Sequence, residues 1–152
     1  MKKILTISSF LLFCFYACKN EDKEQKSEND VDAARNFIRS TMDGDYKAAR
    51  TYMLLDSQNT ARLEIYERYY NEKMRPDEKA SYKTASINIH EVKPLNDSTT
   101  VLSYSNSYFK KDTHQLKTVR IGGQWLVDFK YYFQSKGDSS SPNLISKPDS
   151  LQ

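Results

Sequence analysis

The chain predicts an α+β domain in which three N-terminal helices pack on a four-stranded antiparallel sheet, and three observations carry that expectation. Between Val31 and Met74 apolar residues recur every three or four positions. From Ala85 to Phe129 they recur every second position. Two adjacent glycines, Gly122 and Gly123, sit inside the alternating run LKTVRIGGQWLVDFKYY from Leu116 to Tyr132. The first period places apolar side chains on one side of a helix and the second on one face of a strand. The glycine pair supplies the positive φ that a two-residue hairpin turn needs, so this run reads as two paired strands.

The first helix is expected from Val31, with Asp30 as N-cap and Ala34, Phe37, Ile38, Thr41 and Met42 along one side until Gly44 ends it. A shorter helix follows, capped by Asp45, with Tyr46, Ala49, Tyr52 and Met53 on one side. The third spans Asn59 to Met74; Leu63, Tyr66, Tyr70 and Met74 share a face beside Ile65 and Tyr69, and Pro76 closes it. Ala85, Ile87 and Ile89 then alternate with Ser86, Asn88 and His90. A turn at Asn96 and Asp97 leads to a strand over Thr100 to Phe109, and Lys110 to Asp112 turns the chain into the glycine hairpin.

Turn positions suggest pairing Ile89 with Tyr104, Tyr108 with His114, and Arg120 with Trp125. One face then carries Ala85, Ile87, Ile89, Leu102, Tyr104, Tyr108, Leu116, Trp125, Val127 and Phe129, the core face. The other carries Ser86, Asn88, His90, Ser103, Ser105, Gln115, Lys117, Asp128 and Lys130. A bulged three-residue glycine turn would instead pair Trp125 with Ile121.

The ends differ in character. Lys2 and Lys3 precede the run Ile4 to Tyr16, thirteen residues long, then Ala17 and Cys18. A bilayer span needs about 20 apolar residues, so residues 1–17 read as a cleavable export signal. Residues 19–30 contain no apolar side chain. They form a solvated tether, with a reach of at most roughly 40 Å. Residues 134–152, rich in serine and proline, are expected to be a disordered tail, which leaves 31–133 as the domain. Of 23 basic residues, Lys2 and Lys3 leave with the signal, so 21 remain against 20 acidic ones and nucleic acid is an unfavourable partner. Once Cys14 is removed and Cys18 is modified, no cysteine is left for a disulfide.

Phe15-Tyr16-Ala17-Cys18 resembles the lipobox of bacterial lipoproteins, with Phe15 where leucine is usual and a bulky Tyr16. The resemblance implies acylation of Cys18 and anchoring in the outer membrane. The alternative is an ordinary signal cut before a free cysteine. Lys19 followed by acidic residues resembles the signal that sends some Gram-negative lipoproteins to the cell surface; a generic charged linker is the other reading. The runs FIRSTMDGDYKAARTYM and VRIGGQWLVDF resemble small lipoproteins of the NTF2-like (cystatin-like) superfamily, close to the group called domain of unknown function 4878, lumazine-binding-like. That resemblance spans residues 31 to 133 and implies a curved sheet wrapped as a cone around a long helix, with a pocket at its wide end. It implies no single activity, since members include isomerases, dehydratases and binding domains.

His90 is expected to face outward opposite Ser103, and His114 inward opposite Tyr108, five residues or roughly 17 Å along the strand. They share no metal, and no zinc-like spacing, nucleophile elbow or phosphate loop occurs. No cofactor is expected. The inward polar residues Tyr104, Asn106, Thr118 and Arg120, with Trp125, Tyr66 and Tyr70, are the candidate pocket for a small hydrophobic or anionic ligand. Arg120 would sit across from Trp125 and beside Leu102, stacking on the indole, reaching into the pocket or snorkelling to water. The tyrosines Tyr66, Tyr69 and Tyr70 either rim the pocket or form a packing face. His114 is the inward base. Val101, Val119, Ile121 and Leu126 form an apolar outer patch, the candidate homodimer surface. Three functions follow as expectations: a non-enzymatic binding module, an isomerase- or dehydratase-like enzyme needing His114 or Tyr104, and a structural accessory of a surface assembly.

Overall fold

The computed structural model describes residues 27–135. The expected export signal, Cys18, the expected tether up to Lys26 and the expected tail beyond Ser135 lie outside the described residues. Helix α1 runs Asp30–Asp43. Its N-cap is Asn29 rather than Asp30: extended at φ −148°, Asn29 accepts from the Asp32 N–H, while Asp30 joins the helix. The Asp30 carboxylate accepts instead from the Thr100 hydroxyl at 2.6 Å, fixing the helix start to the sheet. Gly44 ends α1 at φ 77°, with its N–H bonded to the Thr41 carbonyl and that of Asp45 bonded to Ser40. These two reversed bonds satisfy carbonyls that the helix end would otherwise expose.

Asp45 caps α2, Tyr46–Thr51, as expected. Helix α3, Ser57–Glu72, starts two residues earlier than expected because Asp56 caps it, accepting from Asn59 N–H at 2.8 Å. Pro76 does not merely close α3. It opens a further helix, α4, Pro76–Thr84, where a missing N–H costs nothing in the first turn and Glu78 reaches back to the Arg75 N–H at 2.8 Å. No residue of α4 is buried. Arg39 of α1 holds its end, donating to the Lys83 and Ala85 carbonyls at 2.9 and 2.8 Å.

Strands β1 Ile87–Asn96, β2 Thr99–Asn106, β3 His114–Ile121 and β4 Gln124–Asp128 form one antiparallel meander in sequence order. The glycine hairpin is the two-residue form: Ile121 opposes Gln124, Arg120 opposes Trp125, and Gly122 and Gly123 have φ 58° and 79°. Between β1 and β2 the expected register holds for Ile87 to Ile89 and then slips at two bulges. His90 is therefore not opposite Ser103; Glu91 is, and His90 Nε2 contacts Ser105 Oγ at 2.8 Å. Between β2 and β3 the expected register is wrong by four residues. His114 opposes Tyr104 rather than Tyr108, and Leu102 opposes Leu116, so Arg120 lies away from Leu102. The strand ends early because Asn106 Oδ1 accepts from Tyr108 and Phe109 N–H and starts a loop. A slip of four keeps every side chain on its face, so the core face survives the correction.

Phe37, Ile38 and Met42 of α1 pack with Tyr104, Leu116, Val127 and Phe129 from the sheet and Leu63 from α3. Ala85 contributes as the end of α4 rather than as a strand residue. The free edge of β4 is clasped by the chain after α2, with Val127 N–H donating to Tyr52 and Leu54 N–H to Val127 at 2.8 and 2.9 Å. A short helix, α5, Lys130–Ser135, occupies the end of the expected final strand and the start of the expected tail.

Asp128 does not face solvent as strand alternation predicts. It is 4% exposed and paired with Lys117 at 2.6 Å and Lys130 at 3.5 Å. Asn59, fully buried, donates to Asp128 and Asp56 and accepts from the Lys130 N–H, while Lys130 Nζ contacts Asp56 at 2.7 Å. The start of α3, the end of β4 and the start of α5 are thereby locked together.

Candidate functional site

Three helices and the sheet bring together five hydrogen-bonding aromatic side chains between sheet and helices. Leu63 and Tyr66 are three residues apart on α3, so both point inward. Tyr82 comes from α4, Tyr132 from α5, and Tyr104 and His114 from opposed positions of β2 and β3. The His114 ring lies 5.4 Å from that of Tyr104 and 5.3 Å from that of Tyr132. Tyr66 meets Tyr132 edge-on at 6.3 Å and Phe129 at 4.9 Å, and Phe37 lies 5.0 Å from Phe129. Offset and edge contacts of this kind fix the rings beyond what area burial alone does.

The polar ends form a sequence. The Tyr66 phenol sits against the Tyr132 hydroxyl, which lies 3.0 Å from His114 Nδ1. Tyr132 donates to a bare Nδ1 in one tautomer of His114 and accepts from Nδ1–H in the other. Tyr82 is half-buried, and its ring meets those of Tyr108 and Phe109 edge-on at 5.4 and 6.0 Å. Burial raises Tyr66 and Tyr104 well above the usual phenol value, with the neighbouring phenols adding to it, and raises Tyr82 and Tyr132 as well. Such phenols stay protonated and serve as donors. The nearest charges are Asp112 beside Tyr132 and Arg39 beside Tyr82. A ring-lined site with convergent donors can orient a small acceptor. Its one imidazole can also exchange a proton.

The seven candidate pocket residues do not converge. Only Tyr66 and Tyr104 meet here, with His114. Thr118 is fully buried and reaches the Thr100 carbonyl at 3.4 Å; Asn106 caps its loop. Arg120 is exposed opposite the half-buried Trp125, at the hairpin end of β3, six residues or roughly 20 Å from His114. Tyr70 packs under Lys79, edge-on to Tyr46 and against Gly44. Sequence reading missed Tyr82 and Tyr132. The signal for Tyr82 was Pro76 followed by two acidic residues, a helix start as much as a stop.

On the outer face Val119 and Leu126 are paired directly and Ile121 is 56% exposed, but Val101 is 9% exposed and flanked by Lys93 and Lys117. Among the described residues no cluster of three histidine, cysteine or acidic side chains could hold a metal, and no helix is long and apolar enough to cross a membrane.

No family model matches the chain. No curated protein matches it. Among solved structures it is similar to an NTF-2 like protein of unknown function from Shewanella oneidensis MR-1, with 17% identity over 64% of this chain and 89% of that one and a TM-score of 0.46.

Proposed function

We propose that this protein is a lipid-anchored, non-enzymatic binding module of the bacterial cell envelope, built on an NTF2-like domain and held by Cys18 in the outer membrane. The observation that carries the binding role is the interior set of protonated phenols, Tyr66, Tyr104 and Tyr132, around His114. Donors held un-ionised orient a ligand. The envelope location is supported by the export signal, Ala17-Cys18 and the charged tether. The apolar pair Val119 and Leu126 with exposed Ile121 supports a homodimer through the outer face.

The full chain, expressed in a Gram-negative host, tests this by fractionation, intact mass and native mass spectrometry. Expected are loss of residues 1–17, a mass increment of a diacylglyceryl group on Cys18, release to the soluble fraction by Cys18→Ala, and a reproducible small-molecule adduct reduced by Tyr104→Phe. An unmodified Cys18 overturns the anchor; a bare polypeptide overturns the ligand and turns attention to the accessory-subunit reading. One observation favours a second reading, an isomerase- or dehydratase-like enzyme: the Tyr132 hydroxyl contacts His114 Nδ1. Turnover of a ligand recovered from the adduct, abolished by His114→Gln with the adduct itself retained, would establish it.

A further inference from the structure

Two turns of the meander lie at one end of the sheet, the one joining β1 to β2 after Asn96 and the one joining β3 to β4 after Ile121. The Arg120 N–H donates to the Ser98 carbonyl at 2.8 Å and ties them together. Helix α1 starts at this end and finishes at the other: Asp30, its first residue, accepts from Thr100 beside the β1–β2 turn, whereas Arg39 reaches the Ala85 carbonyl ahead of β1. The chain therefore enters the domain at the turn end. Nine residues separate Ser27 from Cys18, a reach of at most about 30 Å. Five large apolar side chains are exposed among the described residues, and three of them stand on the strands that meet here, Val92 at 42%, Leu95 at 53% and Ile121 at 56%. Trp125, the single tryptophan of the chain, is half-buried one rung from Ile121 and opposite Arg120. We propose that this turn end rests on the lipid surface to which Cys18 ties the domain, with Leu95 and Ile121 entering the headgroup boundary. The inference rests on the lipid-anchor reading and adds an orientation to it.

Single exposed apolar side chains are ordinary on a protein surface, and what distinguishes these is where they stand. Leu95 is set out of the ladder by the bulge between Pro94 and Asn96, and Ile121 belongs to the last pair before the glycine turn. Both occupy tips of the sheet rather than a flat face. A soft surface closes around two tips, whereas a rigid partner needs a continuous complementary area. Lys93 beside Val92 and Arg120 beside Ile121 are exposed, so their stems can lie along the apolar residues with the charged heads at phosphate level. Exposed Asp97 and Glu28 at the same end offset them. The contact therefore rests on the apolar side chains and the interfacial indole, and does not require anionic lipid. Held this way, the ring cluster around His114, roughly 20 Å along β3 from Arg120, lies at the end away from the bilayer.

The native tryptophan reads this contact directly. The full chain, its state at Cys18 established by intact mass, is reconstituted in phosphatidylcholine vesicles, and Trp125 fluorescence is measured with a nitroxide-headgroup phosphatidylcholine in the bilayer and, separately, with acrylamide in the water. Trp125 should be quenched by the nitroxide lipid, and Leu95→Asp and Ile121→Asp, both at exposed positions, should each lower that quenching about twofold or more. In a Trp125→Phe background, Lys110→Trp places the probe on the exposed loop at the opposite end, where acrylamide should quench it and the lipid should not. No lipid quenching of Trp125, quenching unchanged in both aspartate variants, or equal lipid quenching at the two ends overturns the inference. So does a Trp125 shielded from acrylamide yet untouched by the lipid, which would show that a second copy of the chain covers this end. Lipid quenching of a chain unmodified at Cys18 would refute the anchor while leaving this surface standing, and an acylated chain whose Trp125 is not quenched would do the reverse.

Discussion

Replacing Gly44 by alanine tests how α1 is joined to α3. Gly44 sits at φ 77°, and a Cβ built there would lie 2.5 Å from Cε1, 2.7 Å from Cζ and 2.8 Å from the hydroxyl oxygen of Tyr70. Two costs follow. An L-residue in the left-handed region costs about 1–2 kcal/mol. Displacing a ring that is itself packed on Tyr46 at 5.9 Å and covered by Lys79 at 5.0 Å is an overpacking change of about 1–3 kcal/mol. The expected total is about 3 kcal/mol, a fall in Tm of roughly 12–24 °C for a domain of this size. Gly44→Asn separates the two, since asparagine tolerates the left-handed backbone but keeps a Cβ. A double-mutant cycle with Tyr70→Ala, read by urea unfolding, measures the ring contact as a coupling of about 1 kcal/mol or more. A Gly44→Ala cost below about 1 kcal/mol would refute the left-handed cap. Zero coupling would show that Tyr70 does not press on the α1 end.

Asp56→Ala removes the α3 cap and should cost about 1 kcal/mol near neutral pH. The Asn59 backbone N–H, then Lys130, hold the Asp56 pKa below the usual 3.8, so its contribution is full above that value and lost as pH falls through the lower folded one; the gap between wild-type and variant melts should close from about pH 5 downward. A gap independent of pH would sink that reading. Asp128→Ala leaves Lys117 and Lys130 over a buried position and should cost about 2 kcal/mol, below the value for a fully buried pair because both lysines reach water, 24% and 29% exposed; an unchanged urea midpoint would make the network ornamental. Leu126→Glu should convert a dimer to a folded monomer by light scattering, and a wild-type chain already monomeric would remove the dimer proposal.

The parts of the fold legible in the sequence were those with two agreeing signals. Helix α1 had both an apolar stripe and Gly44; the last hairpin had both alternation and a glycine pair. Helix α4 had neither, because a helix that buries nothing carries no stripe, and its opening proline can be read as the previous helix's end. The β2–β3 register was lost because the loop between Asn106 and His114 is long and is set by the Asn106 side chain, a contact invisible to alternation. Asp128 defied the polar face because Asn59 and α5 cover it. For the site, inward Tyr66, Tyr104 and His114 were readable from periodicity, whereas Tyr82 and Tyr132 depended on two helices that only tertiary packing stabilises.

The clasp between the chain after α2 and β4 has a kinetic consequence. Every strand pairing in the meander joins neighbours in sequence, so the sheet can assemble by closing small loops, each at low entropic expense. Joining Met53 to Val127 closes a loop that contains α3, α4 and three strands, and nothing favours it until those are in place. It is therefore a late contact, so loosening it accelerates unfolding far more than it slows folding.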